Sequence, residues 1–595
     1  MSIIGQILSG ALGIIASLSQ QQTNGGSTWG TLDNPLLPQF LTNNPLPWGL
    51  PWGPLTAKDD NPYTSAPNTG VIREYDFTIK RGQIAPDGYM KNVLLINGQF
   101  PGPMLEANWG DTFVITVHNQ IVGPEEGTAL HWHGLLQKGS PWFDGVPAVQ
   151  QCPIAPGSSF TYTFKADLYG SSWYHSHYSA QFAGGLFGPM IIHGPTNAPY
   201  DIDLGPVMLS DYYHTDYFTL VEGAMASNSS ANFNPAPASD NNLINGKMNF
   251  NCSTVAAGDN APCSSNAGIS KFKFTTGKTH RLRLMNLGGE GLQRFSIDGH
   301  NMTVIANDFV PIKPYTTNVV TLGIGQRSDV LVTANAGKSD SAFWMRSNIS
   351  TICSITTQPA ALAAIYYDKA DSTKPPTSTA WNVPDPGTCS NDDLSLTTPY
   401  YALAPSTPST TQTFEINYHI NATGHFLWAL GAHSFRADYN QPILLLANEG
   451  NFTYPAEWNV QNFGTNTTIR IVVNNPSPVA HPMHLHGHNM QIIHEGPGDW
   501  DGVSTTGGSN PQRRDVQLVR NGGHMVMQFD ADNPGVWPFH CHIAWHVSGG
   551  LYANMLERPA DIAKDAPIPE MLAETCRDWS AWSTRTVVDQ IDSGV

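Results

Sequence analysis

The chain is written in short alternating stretches. VIREYDFTIKRG, KNVLLING and DTFVITVHNQ, all between residues 71 and 120, place apolar residues at about every second position and are bounded by turn residues. A period of two over such lengths predicts half-buried strands, and many of them in succession predict a sandwich or barrel. The order LLINGQFPGPMLEANWGDTFVITVHNQ returns in looser form. LINGK at 243–247 precedes HRLRLMNLG, and LLLANEG at 444–450 precedes TTIRIVVNNPS. Repetition of this kind predicts three related β-domains, at 71–195, 196–380 and 401–560. Residues 20–70, with NNPLPWGLPWGP, read as an irregular arm, and the Pro/Ser/Thr-rich stretch 381–400 as a linker. Residues 561–595 follow as an extension with a short helical segment and a tail.

Length and composition agree with this picture. A chain of 595 residues is too long for one core. Gly 55 and Pro 45 are high and charged residues, at 13%, are few, which suits turns between strands. The net charge of −18 argues against nucleic acid or an anionic membrane as partner. Residues 1–19 contain the apolar run SIIGQILSGALGIIASLS, which reads as a secretory signal or, since no Lys or Arg precedes it, a buried N-terminus. No later stretch is long and apolar enough to span a bilayer.

The seven cysteines are residues 152, 252, 263, 353, 389, 541 and 576. Setting Cys541 aside leaves six, an even number that suits three disulfides in an oxidising compartment, with about fifteen pairings open. Seven N-glycosylation sequons begin at Asn228, Asn251, Asn301, Asn348, Asn421, Asn451 and Asn466. Together these features predict a secreted glycoprotein.

The chemistry is concentrated in His540-Cys541-His542-Ile543-Ala544-Trp545-His546, with Leu551 shortly after. If the stretch is extended as far as His542, Cys541 faces one way and His540 and His542 the other. Two imidazoles and a thiolate with a weak or absent axial ligand form the blue-copper set. Four H-x-H pairs stand out: His131/His133, His175/His177, His484/His486 and His540/His542. Chance placement of 21 histidines predicts about one. Each pair faces one side of a strand. Two pairs fall in the first domain and two in the third, so eight imidazoles can converge at a domain interface and hold three metal ions. His481, Cys541 and His546 remain for the blue site. One plus three one-electron coppers match the four electrons that convert O₂ to two waters. His118, His193, His214, His280, His300, His433, His494 and His524 lack such spacing and read as structural or exposed. His488 reads as a supporting or structural residue.

HWHG, WYHSH, HPMHLHGH and HCHIAWHVSGGL, in this order, resemble the multicopper oxidases and, within them, the ascomycete laccases; the likeness runs across the chain from about residue 71. The resemblance implies an all-β fold of three cupredoxin-like Greek-key domains and four copper ions. His481, Cys541 and His546 would bind the type-1 copper. His131 and His484 would bind the type-2 copper. His133, His175 and His542 would bind one type-3 copper, and His177, His486 and His540 the other. Leu551 stands at the axial position, where lower-potential relatives carry Met, which should raise the potential.

Asp144 in WFDGVP matches a family aspartate that serves proton delivery near the cluster; it is equally a turn aspartate before glycine. Asp211 in LSDYYH matches the pocket aspartate that takes a phenol's proton, or else is a strand-end residue. Phe426, Trp428 and Trp545 resemble the aromatic residues of the phenol pocket, with ordinary core packing as the other reading. Asp592-Ser593-Gly594-Val595 is similar to the family's Asp-Ser-Gly-Leu terminus, which plugs a channel. The resemblance also implies disulfides Cys152–Cys576 and Cys353–Cys389, with Cys252–Cys263 as the remaining pair.

The activity so implied is that of a secreted, monomeric laccase coupling oxidation of phenols or aromatic amines to reduction of O₂. Its rivals are a ferroxidase, an ascorbate oxidase, a pigment-pathway phenol coupler, or a copper-binding electron carrier that needs only the blue site.

Overall fold

The computed structural model describes residues 27–42, 49–588 and 590–595. The apolar segment read as a signal lies outside them. Among the described residues the strands form six sheets in three pairs, spanning residues 72–193, 202–367 and 410–557.

The three pairs repeat one topology. Strand Ile72–Ile84 lies between antiparallel Lys91–Ile96 and parallel Thr112–Asn119. Ile202–Tyr212 lies likewise between Asn241–Ile244 and Thr279–Asn286, and Thr410–Ile420 between Phe426–Leu430 and Thr468–Asn475. Each facing sheet begins with a parallel edge pair: Leu105–Asn108 with Phe187–His193, Ser270–Phe274 with Ala360–Tyr367, and Val460–Asn462 with Tyr552–Glu557. These are three cupredoxin-like β-sandwiches.

One echo in the sequence misleads. The counterpart of LLING in the third unit is Phe426–Leu430, whereas Ile443–Asn448, which contains LLLAN, is an α-helix. The Leu-Leu-Leu-Ala run has no β-branched residue and follows Pro442, which favours a helix start. The N–H groups of Ile443 and Leu444, unpaired within the helix, donate to Ala148 and Val149 carbonyls of the first sandwich.

Strands come in two kinds. Thr112–Asn119 alternates buried and part-exposed side chains, as a strand with one wet face must. Gly170–Ser176, His481–Leu485 and Gly535–Cys541 are buried at every position. These last carry His175, His484 and His540, with His177, His486 and His542 just past their ends, and their double burial fits the junction between sandwiches.

The irregular arm is strapped on through the Leu37 N–H to the Asp203 carbonyl and the Asn108 side chain to both polar groups of Leu41. Helices Pro559–Asp565 and Glu570–Ser583 follow the last sheet. Three disulfides are present: Cys152–Cys576, Cys252–Cys263 and Cys353–Cys389. Cys353–Cys389 pins the linker to the middle sandwich. Asn228, Asn251, Asn301, Asn348 and Asn451 are exposed, and Asn421 and Asn466 partly so. Among the described residues no helix is long and apolar enough to cross a membrane.

Cys152–Cys576 joins residues 424 apart, so it removes much freedom from the unfolded chain. Replacing both cysteines by serine should cost about 2–5 kcal/mol, read as a lower denaturation midpoint. An unchanged midpoint would show that the terminal helix is held by packing alone.

Candidate metal centre

Strand register assembles the site. In the first sandwich His131 pairs directly with His175, and in the third His484 pairs with His540 and Met483 with Cys541. The equivalent strand pair of the middle sandwich, Gln293–Ile297 with Ala342–Ile349, carries Gln293, Phe295 and Ser347 and no histidine.

On one side of Gly535–Cys541 lies a triad. Cys541 Sγ is 3.5 Å from His481 Nδ1 and 3.6 Å from His546 Nδ1, and those nitrogens are 3.1 Å apart. His481 is held through Nε2 and the Ser477 hydroxyl, at 3.0 Å. His546 reaches the triad because the chain turns into the helix Ala544–Ser548 directly after His542 and Ile543. Leu551 is fully buried, and its N–H donates to the His546 carbonyl while its carbonyl accepts from Cys541 N–H.

On the other side are the eight imidazoles. His486 Nε2 lies 3.0 Å and His177 Nε2 3.4 Å from His540 Nε2, and the three form one compact group. His133 Nδ1 lies 3.4 Å from His175 Nε2, and the His542 ring is 5.1 Å from both those rings. His131 adjoins His484 and His486. All eight are buried.

This donor set fits a cluster of soft or borderline cations. Burial, reinforced by mutual repulsion, holds His133, His175, His177, His484, His486 and His542 well below the ordinary histidine range, and burial holds His540 at about 3. These imidazoles are therefore neutral, the form that binds metal. His131 Nε2, His484 Nε2 and both nitrogens of His542 are buried with no hydrogen-bond partner among the described residues. Such atoms are costly unless something else satisfies them. In the triad, burial pushes the Cys541 thiol up, so a thiolate there requires an adjacent cation.

Three consecutive stretches, 78–197, 203–370 and 417–561, match the multicopper oxidase family. The chain belongs to the multicopper oxidases. It is 41% identical over 552 residues to the oxidoreductase OpS5 of Beauveria bassiana, covering 91% of each chain. It is 37% identical over 556 residues to Laccase-2 of Botryotinia fuckeliana, covering 91% of this chain and 92% of the relative. The crystal structure of the laccase from Botrytis aclada superposes with a TM-score of 0.82 at 34% identity, over 91% of this chain and 100% of that one. Family membership makes copper the metal for these ligands.

Around this multicopper centre, Asp144 is more than a turn residue. Its Oδ2 accepts from His486 Nδ1 at 2.8 Å and its backbone carbonyl from His131 Nδ1 at 2.7 Å, so it ties imidazoles of the first and third sandwiches. Asp211 is buried. Its Oδ1 accepts from Gly289 N–H, and its Oδ2 from the N–H groups of Glu290 and Gly291. The loop wraps the carboxylate because it is glycine-rich: a Cβ on Gly288 would sit 2.7 Å from Asp211 Oδ1. Burial nevertheless raises the Asp211 carboxyl above its usual range. That loop is anchored to the copper-ligand segment through Ala544 N–H to the Gly289 carbonyl.

Trp428 packs on both triad imidazoles, 4.4 Å from His546 and 4.9 Å from His481, and part-exposed Phe426 packs edge-on against Trp428. Trp545 is buried and meets Tyr213. Asp592, Ser593, Gly594 and Val595 are buried: Ser179 donates to Asp592 and Tyr439 to the Gly594 carbonyl, while Ser593 N–H donates to the Ser548 carbonyl. The tail thus lies between the turn after His177 and the helix of His546.

Two acidic residues escaped the sequence reading. Glu290, between glycines, interacts with Trp545 and is raised to about 8 by burial and by Asp211; nothing in GGEG announces it. Asp515 lies 3.0 Å from His133 Nε2. Its signal was the charged triplet Arg513-Arg514-Asp515 beside the apolar run that follows, in a chain poor in charge.

Leu551 offers no donor atom to the triad, so a thioether placed there should lower the type-1 reduction potential. Leu551→Met should show the drop in a redox titration of the blue band. An unchanged or higher potential would mean that this side chain does not border the metal held by the triad.

Proposed function

We propose that this multicopper oxidase is a secreted laccase that oxidises phenols and aromatic amines one electron at a time and reduces dioxygen to water. The observation that supports it most directly is the continuity of Cys541 with His540 and His542. The triad and the imidazole cluster are joined by one peptide, so an electron has a short covalent route between them. The triad His481, Cys541 and His546 would hold type-1 copper. His131 with His484 would hold type-2, and the sets His133, His175, His542 and His177, His486, His540 the type-3 pair. Copper so bound supplies an electron acceptor at the triad and a four-electron centre for O₂ at the cluster.

The chain's own residues account for substrate handling. His546 is 7% exposed whereas His481 and Cys541 are 0%, so His546 is the triad edge a donor can reach. Phe426 and Trp428 offer flat apolar faces beside it, suited to an aromatic ring. A phenol that loses an electron must also shed its proton to yield the neutral radical, and Asp211 would take it. Its raised carboxyl is a stronger base than an exposed aspartate, but serves only when deprotonated. Asp144, hydrogen-bonded to His486, would deliver protons at the cluster. Residues 592–595 would restrict access to the cluster from the His177 side. Three disulfides and exposed sequons support an extracellular life. A second reading, oxidation of ferrous ion, draws support from Glu290, which puts another carboxylate near the triad; steady-state rates with ferrous ion and with a dimethoxyphenol rank the two.

The purified protein should contain four coppers per chain, show the blue band and the type-2 EPR signal, and consume one O₂ for every four phenols oxidised. One copper per chain, or ferrous ion strongly preferred over phenols, would refute the laccase reading. For phenols, kcat/KM should rise with pH as Asp211 loses its proton. Asp211→Asn should abolish that limb and lower kcat/KM about 100-fold, yet spare a donor that loses no proton. Equal losses on both donors would remove Asp211 from proton transfer.

A further inference from the structure

The middle sandwich supplies no imidazole, yet it reaches the cluster. Arg327, in its strand Arg327–Thr333, holds both carboxylate oxygens of Asp515, at 2.6 and 2.7 Å. Asp515 in turn meets two imidazoles from different sandwiches. Its Oδ1 is 3.0 Å from His133 Nε2, and its backbone carbonyl accepts from His484 Nδ1 at 2.9 Å. Neighbouring Arg514 forks onto Asp308 at 3.0 Å on each oxygen, and Asp308 also accepts the Arg327 N–H at 2.9 Å. All four charged side chains are buried, so each depends on its partner.

His133 is the exception in the cluster. His131, His175, His484 and His540 are tied through Nδ1 to backbone carbonyls, and His486 through Nδ1 to Asp144. Each of these five turns Nε2 inward. His133 is tied through Nε2 and turns Nδ1 inward, toward His175. The residue that reverses it is Asp515.

We infer that Asp515, oriented by Arg327, is a positioning residue: it fixes His133 with Nδ1 toward the metal and makes the ligand-free middle sandwich a determinant of copper binding. The inference rests on the imidazole cluster being the copper site, and not on which donor the enzyme oxidises. Asp515 could instead be counted as a ligand, since it forms a compact group with His133 and His484. Both its oxygens are taken by a guanidinium, however, and a metal cation placed on them would face Arg327.

The test is copper titration of the metal-depleted full chain, comparing Asp515→Asn and Arg327→Met with the parent. Copper bound at the triad is read from the blue band and that at the cluster from total copper and EPR. Both variants should bind cluster copper some 10–100-fold more weakly while the blue band fills as in the parent. Cluster affinity equal to the parent in both variants would overturn the inference. So would loss of cluster and blue copper in parallel with a collapsed melting transition of the copper-free protein, which would mark the pair as structural only. If the parent binds copper as expected but ignores phenols, the laccase reading fails and this comparison still stands.

Discussion

Eight imidazoles packed together out of water cannot all be charged, and each ring nitrogen left without a partner is costly. This constraint shapes the centre of the molecule. Burial keeps His133, His175, His177, His484, His486, His540 and His542 neutral, and a neutral ring has one nitrogen that carries hydrogen and one lone pair. Backbone carbonyls of residues 144, 176, 515 and 541, together with the side chains of Asp144 and Asp515, take the outer nitrogens of six rings. The inner nitrogens are thereby committed to a cation. The same logic applies to Cys541, whose thiol would keep its proton in so dry a place without a metal beside it.

The fold meets this demand through strands wet on neither face. Direct register of His131 with His175 and of His484 with His540 brings ligands distant in sequence within a few ångströms. The first and third sandwiches must then be held together to fractions of an ångström. Asp144 bridges them at the rings, Cys152–Cys576 ties the first to the helix that follows the third, and the Arg327–Asp515 pair brings in the middle sandwich. Metal binding, in this view, draws on contacts of all three units.

Much of this was legible in the sequence because it obeys a local period. H-x-H spacing works as a signal since strands alternate every two residues, and Cys541 between His540 and His542 displays the two-sided arrangement directly. The repeat of strand motifs disclosed three related units. What was not legible lacked a local period. Leu444–Asn448 resembled the strand motif LLING in letters, but its leucines, not branched at Cβ, make a helix after Pro442. Asp515 contacts His133 across 382 residues; the charged triplet at 513–515 marks it as unusual but names no partner. Glu290 sits in a glycine-rich loop whose conformation is set by the Asp211 carboxylate it encloses, so its place depended on a fold not yet built.

Charge would pass from the sulfur to the imidazoles along one peptide. Cys541→Ser tests it most directly, with visible absorbance and phenol-dependent oxygen uptake recorded on the same sample and copper measured alongside. The blue colour and the oxygen uptake should disappear together while copper stays at the imidazole cluster. Oxygen uptake continuing at the parent rate without the blue band would contradict it.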